Sequence, residues 1–503
     1  MSRTKKFFQN SITTALYQLI VMFSGFITVG VILRVYGSEV NGLVSSINQF
    51  IAYFKLVEAG LSSAAIYALY KPLADNDQRA INAVVVATKN FYTKTGYIFV
   101  LLTIGLALSY PFFVNLDTVS PLSVGILTLI LGVKGALELF TLAKYRALLT
   151  ADQKIYVISI ASTVYTIANT IIIVLLANLK VDIVVLWFVT IFSMFLRTLI
   201  LVLYVKVKYK WINFQEKPNY NALNQRWDAL YLQILGAIQV GAPVIILTVL
   251  TKDMNLVSIY TVYFMIIVGL NGILGIFKTG LFASFGDVIV KSGIRTLQKA
   301  YKEFEFFFYS LITVIFSVTF IMIMPFIRIY TGDITDINYD IPAIGFLFVL
   351  NGVLHNIKTP QGMLVMSAGL FKETKLQTTI QGLIVIILGI FFAPTLGIEG
   401  VLTASIISNI YRCIDLFIFI PKNVTKLSIK DSFDRIFKMF ISMAIIVTPF
   451  WFIDVNPTNY IYWILISIII TIYAVSIVCI VGYLFYREDM LSAINRIFNV
   501  LKK

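Results

Sequence analysis

Six basic residues fall inside apolar stretches of the chain: Lys55, Lys134, Arg197, Lys278, Lys358 and Arg412. A charge near a bilayer centre costs about 2.5–3.5 kcal/mol on insertion scales, so intramembrane charges mark ion or substrate paths unless they are paired or sit near an interface. Three have a carboxylate at helical spacing. Lys55 precedes Glu58 by three residues, Lys134 precedes Glu138 by four, and Arg412 precedes Asp415 by three. Those steps put both groups on one helix face and predict neutral pairs. Arg197 and Lys358 have no acidic residue within a turn and are the first choices for lining a cavity. Lys278 stands near a helix end, where a long stem lets the ammonium snorkel to the interface. A guanidinium donates two parallel hydrogen bonds to a phosphate, so a cavity lined by these groups predicts an anionic ligand.

The elements that carry these residues follow from composition. The chain has 503 residues, 59% apolar and only 13% charged, with mean hydropathy +0.89. A soluble protein needs about 25% charged residues, so the chain reads as an integral membrane protein. One helical span takes about 20 apolar residues. Apolar runs occur at 12–35, 42–68, 96–116, 122–143, 156–178, 182–205, 229–251, 257–283, 304–326, 342–366, 379–395, 400–420, 437–454 and 460–485. The alternating ten-residue pattern of a barrel strand is absent. The fold class is therefore all-α, a polytopic membrane protein with about fourteen transmembrane helices.

Of the 40 basic residues, thirty fall on the amino-terminal segment, the alternate loops on its side and the tail, against four (Arg34, Lys180, Lys252, Arg328) on the opposite side. That bias predicts a multi-pass protein of the cell membrane with both termini cytoplasmic. The six intramembrane cations fall on the even-numbered runs from the second to the twelfth, between mid-span and the cytoplasmic end, so a cavity they lined would take its anion from the cytoplasm. The longest outer loop, 327–341, is too short for a catalytic domain, and no GxxxxGK[ST] phosphate loop occurs. No catalytic residue, cofactor, metal site or nucleic-acid partner is expected. Cys413, Cys479 and His355 all lie within runs, and neither cysteine supports a disulfide framework. The first run is longer than a signal-peptide core and lacks a cleavage motif. Gly241 and Pro243 in run 7 and Gly269, Gly272 and Gly275 in run 8 predict either close packing or hinges for gating.

Two stretches six runs apart resemble each other: Arg146-Ala-Leu-Leu-Thr-Ala-Asp-Gln-Lys154 and Leu364-Val-Met-Ser-Ala-Gly-Leu-Phe-Lys372. Internal repeats about a central site are common in secondary transporters. The economical division is a six-helix bundle at 1–205, a cytoplasmic linker at 206–228, a second six-helix bundle at 229–420, two added helices at 421–485 and a tail at 486–503. Met490, Leu491, Ile494, Ile497, Phe498 and Leu501 make the tail amphipathic, suited to the inner leaflet or to packing on the protein.

The segment from Tyr36 to Asp77 carries Gly37 and Gly42, then Glu58-Ala-Gly60-Leu61 ahead of small residues. It resembles the second-helix signature of polysaccharide flippases in the multidrug/oligosaccharidyl-lipid/polysaccharide exporter (MOP) superfamily. Arg146–Lys154 resembles their loop after the fourth helix, and Gly397-Ile-Glu-Gly-Val-Leu-Thr-Ala-Ser405 their lead into the twelfth. The likeness is greatest to Wzx-type repeat-unit flippases. It implies two six-helix bundles in a V around a cavity that opens alternately to either side. It also implies translocation of undecaprenyl-pyrophosphate-linked oligosaccharide to the outer leaflet for polysaccharide biosynthesis. Expected partners are that lipid-linked oligosaccharide, membrane lipids, and the polysaccharide polymerase and glycosyltransferases that use the same glycans. The family's cationic residues vary in position, so the cavity assignments rest on the residues alone. Alternatives are a lipid II flippase, a multidrug exporter of the same superfamily, and a membrane polysaccharide polymerase.

Overall fold

The computed structural model describes residues 3–114, 116–223, 226–291 and 293–492. Among them there is no β-strand, and each of the fourteen apolar runs is helical over most of its length. Among the described residues, ten helices are long and apolar enough to cross a membrane. The chain is an all-α, multi-pass membrane protein.

The first helix, α1 (Arg3–Phe54), holds the first run and the start of the second. Gly37 divides it with φ 84° and ψ 174°. The second run is interrupted again at Lys55 and resumes as α2 (Leu56–Ala74). Then come α3 (Gln78–Ser109), α4 (Pro121–Thr141), α5 (Ala143–Ala151), α6 (Ile155–Asn178), α7 (Ile183–Lys208), α8 (Arg226–Thr251) and α9 (Met254–Lys291). The rest are α10 (Ile294–Tyr330), α11 (Pro342–Ile357), α12 (Thr359–Ser367), α13 (Lys375–Ile420), α14 (Ile429–Val447) and α15 (Tyr460–Phe485). Turn residues start many of them. Asp77 Oδ1 accepts from the Ala80 amide at 3.0 Å, Asp182 Oδ1 from Val184 at 2.9 Å and Asn459 Oδ1 from Ile461 at 3.0 Å, each satisfying an amide that the helix leaves orphaned.

Several helices outrun their apolar runs. α3 begins at Gln78 and α10 at Ile294, well before the runs at 96 and 304. Lys89, Lys94, Lys299 and Lys302, which lie between apolar runs, are therefore helical. Their charges lower local hydropathy without breaking the 3.6-residue periodicity.

The chain divides into two compact units, Met1–Val262 and Tyr263–Lys503. In the first, α1 packs on α6 and α8, α3 on α4, α6 on α7, and α2 on α3, α5 and α8. Segment 206–228 lies within this unit. Its described part is folded against the helix ends: the Asn213 amide donates to Asn82 Oδ1 at 3.1 Å, and the Asn219 amide to the Ala83 carbonyl at 3.1 Å. Tyr209 donates to Asp152 Oδ2 at 2.6 Å. Burial, then that acceptor, raise its hydroxyl well above the ordinary range.

In the second unit α10 packs on α11, α14 and α15, and α11 on α13. Trp463 Nε1 donates to the Met322 carbonyl at 3.1 Å, tying α15 to α10. The tail begins packed on this unit: Asp489 meets Arg435 at 2.7 Å and Ser492 donates to Glu303 at 2.5 Å. Residues 493–503, including Ile494, Ile497, Phe498 and Leu501, lie outside the described residues.

The resemblance between Arg146–Lys154 and Leu364–Lys372 has a backbone counterpart. In each unit a span breaks, at Leu142 or Lys358, and continues as a nine-residue helix, α5 or α12. Each short helix ends on a residue of positive φ, Gln153 (56°) or Gly369 (69°). Lys154 N donates to Leu149 O at 2.8 Å, and Leu370 N to Val365 O at 3.0 Å. That six-to-one bond is the Schellman closure of a helix C-terminus.

Candidate functional site

The first unit contains a partly open cavity of about 190 Å³ whose wall includes Lys55, Lys134, Glu138, Tyr165, Trp187 and Arg197. Helix breaks position the charges. Lys55 stands between α1 and α2, and α5 starts afresh after Leu142, bringing Arg146 back toward the wall from which α4 presents Glu138.

Glu138 is the hub. Its Oε2 accepts from Lys55 Nζ at 3.0 Å. Its Oε1 accepts from Arg146 Nη1 at 3.1 Å and Arg197 Nη1 at 3.2 Å. Arg146 also spans to Glu58, Nη2 to Oε1, at 3.1 Å. Lys134, one turn before Glu138, turns away to Asn169 Oδ1 at 2.8 Å. Its ammonium lies 5.4 Å from the Tyr165 ring centroid and 5.6 Å from that of Trp187, within cation–π range.

Two of the three expected pairs are thus corrected. Lys55 pairs with Glu138 rather than Glu58, and Lys134 pairs with no carboxylate among the described residues. Helical spacing found the right face, but a break at Lys55 re-aims one side chain, and three cations from other helices outcompete Lys134 for Glu138. Arg412 does pair with Asp415. Arg197, which has no acidic neighbour on its own helix, finds Glu138 across α4.

Four cations face two carboxylates in this cluster, leaving a formal charge of +2 when all are ionised. The unpartnered buried atoms of the cluster lean the same way, two donors to one acceptor. Arg197 Nε and Trp187 Nε1 are buried donors with no acceptor among the described residues. On the acidic side Glu58 Oε2 alone is left unpartnered. The wall offers donors and positive charge.

Lys358 and Arg412 belong to the second unit. Lys358, at the break between α11 and α12, donates to Asn409. Asn409 donates to Asn351 Oδ1 at 2.8 Å and accepts from Gln381 at 3.4 Å. The side chain of Lys278 lies outside the described residues. Gly241 is a packing position: a Cβ there would stand 2.1 Å from Gln49 Nε2. α8 runs on through Pro243, and α9 through Gly269, Gly272 and Gly275. A methyl at Gly272 or Gly275 would meet open space.

Sequence reading missed Arg146, placed with the loop after run 4. Its spacing of eight from Glu138, two turns along one face, was the available signal. It also missed Tyr165, Asn169 and Trp187, whose types are common in apolar helices. Glu305 was not counted among the span charges, although it lies just inside the run 304–326. It is 2% exposed in the second unit, accepting from Tyr301 at 2.9 Å and Gln361 at 3.0 Å, with Arg435 Nε 3.6 Å away.

No family model matches the sequence, and no curated protein matches it. Solved structures do match the fold. A lipid II flippase MurJ in an inward closed conformation superposes with a TM-score of 0.70 at 16% identity, covering 95% of this chain and 99% of that one. An inward-facing multidrug resistance MATE family transporter of the MOP superfamily gives 0.63 at 14% identity, covering 83% and 99%. A MOP superfamily transporter from Pyrococcus furiosus, described by a reversed polarity of its binding pocket suggesting a different function, gives 0.61 at 14% identity, covering 83% and 96%. The fold is that of a polytopic, all-helical membrane protein with a polar site in its first unit. More narrowly, its fold is the one those MurJ and MATE structures share.

Proposed function

We propose that the protein is a flippase that carries polyprenyl-pyrophosphate-linked oligosaccharide from the inner to the outer leaflet of the cell membrane for polysaccharide biosynthesis. The observation that carries this reading is the donor-rich, net-positive cavity lined by Lys55, Lys134 and Arg197, with Arg146 paired to Glu138 in its wall. A pyrophosphate diester carries two negative charges and only acceptor oxygens, which is what such a wall complements. The glycan would travel in the polar lumen while the lipid tail stays in the bilayer. In the second unit Lys358 and Arg412 would be the substrate-facing cations, with Gly269, Gly272 and Gly275 as hinges. With the cytoplasm negative, moving two negative charges outward gains roughly 4.6 kcal/mol per 100 mV.

A multidrug exporter for cations fits less well, because a cationic drug would meet a cavity of its own sign. A lipid II flippase is the second reading, favoured by the 0.70 superposition over 95% of the chain. Both substrates are anionic lipid-linked glycans, so one experiment tests the class and a second separates them. Cells deprived of the protein should accumulate lipid-linked repeat units on the cytoplasmic leaflet. Unpolymerised units accumulating outside would point to a polymerase and overturn the flippase reading. The Lys134→Ala/Arg197→Ala double variant should lose export at least about tenfold while still reaching the membrane, since each close charge contact is worth more than about 1.4 kcal/mol. Rescue of cells depleted of their lipid II flippase would select the second reading.

A further inference from the structure

The cavity holds its own anion. Glu138 occupies the donors that a substrate phosphate would need, taking Lys55 on one oxygen and Arg146 and Arg197 on the other. Both Glu138 and Arg197 have side chains 14% exposed, so neither charge can be left uncompensated cheaply. Without a ligand, Glu138 keeps three converging cations from repelling one another. With a dianion bound, the same carboxylate becomes a like-charged neighbour competing for those cations. The donors it leaves unused, Arg197 Nε and Trp187 Nε1, belong to the wall from which Lys134 also projects.

We infer that Glu138 is a resident counter-ion that the substrate's pyrophosphate displaces, and that the pair Glu58 and Glu138 sets the cavity's charge to match a dianionic linker. This deepens the flippase reading and rests on it. Two carboxylates against four cations leave two charges to be met, the number borne by a pyrophosphate diester. A monophosphate diester supplies one and leaves a cation uncompensated in a confined wall. The arrangement therefore selects pyrophosphate-linked over monophosphate-linked glycans. It also gives a route for release: Glu138 returns to Arg197 and Lys55 as the ligand departs, so the empty state is not an exposed cluster of cations. A site made only of cations would bind more tightly and let go more slowly.

The test uses the purified full-length protein in detergent and two water-soluble probes, citronellyl diphosphate glucose and citronellyl monophosphate glucose. The wild type should bind the diphosphate probe at least about tenfold more tightly than the monophosphate, the scale of one close charge contact. Glu138→Gln keeps the shape and one acceptor but removes the charge. It should bind the diphosphate probe at least about tenfold more tightly than wild type, gain more thermal stability from that probe, and flip more slowly in vesicles. Glu138→Asp, which restores the charge, should return binding toward wild type. Unchanged or weaker binding by Glu138→Gln, in protein shown to be folded by its melting curve and by wild-type-like binding in Glu138→Asp, would overturn the inference and leave the flippase reading standing. Equal binding of the two probes by wild type would overturn the charge-matching argument. Binding of neither probe by wild type would overturn the flippase reading itself.

Discussion

Arg146 shows how much of the site rests on one side-chain geometry. Its guanidinium meets Glu58 through Nη2 and Glu138 through Nη1, both at 3.1 Å, so a single planar fork holds carboxylates from α2 and α4. Lysine has a point charge and no fork. Arg146→Lys should therefore lose one of the two contacts and cost about 2 kcal/mol of stability, the usual scale for a lost buried charged hydrogen bond. Unfolding in mixed micelles measures this, and a variant as stable as wild type would show that the bridge contributes nothing. The sequence alone identified three of the four cations of the cluster, Lys55, Lys134 and Arg197, because a charge inside an apolar run stands out against its surroundings. It missed the fourth because Arg146 sits beyond the run, where a basic residue is expected for topological reasons. It mispaired Lys55 and Lys134 because spacing along one helix says nothing about cations arriving from α5 and α7.

At the scale of elements, the informative features are interruptions. Breaks at Lys55, Leu142 and Lys358 are invisible to hydropathy, since an apolar run reads the same straight or bent. Pro360, which lacks the amide needed to continue a helix, was a readable cause for the break at Lys358. No such residue marks Leu142. The glycines of the resembling motifs, by contrast, acquire physical reasons. Gly42 lets α1 approach the start of α9, where a Cβ would stand 1.8 Å from the Met254 carbonyl oxygen. Gly397 has φ 54° and ψ −123° at the bend that splits α13 into two spans, a conformation essentially closed to residues with a Cβ. Gly400 follows, with a Cβ position only 2.6 Å from the Phe392 carbonyl oxygen. Gly397→Ala should cost about 1–3 kcal/mol through backbone strain. A control Gly272→Ala, which meets open space within a helix, should be neutral or slightly stabilising. Comparing the two melting temperatures tests whether strain at the bend, rather than substitution in general, carries the loss.

For the whole molecule, class and span number were legible because they depend on sums over many residues, and a sum tolerates local error. Fourteen runs survive as helices even though α1 and α13 each merge two of them and α14 begins with a charged turn. Orientation is a sum of the same kind. Thirty basic residues against four is a bias that no single misassigned loop reverses, and the finding that α3 and α10 extend past their runs only moves some of those charges from loops onto helices on the same side. The expectation is that the turn at Asn76 and the loop 421–428 face the cytoplasm, while the turns at Lys180 and Lys252 and the loop 331–341 face outward. Single cysteines at Asn76, Lys180, Lys252 and Asp336, introduced after Cys413 and Cys479 are replaced, should divide accordingly in labelling by an impermeant maleimide on intact cells. Labelling at Asn76 together with protection at Lys180 would invert the protein. It would then be the inverted cavity, opening to the wrong side for a substrate made in the cytoplasm, that the flippase proposal could not accommodate.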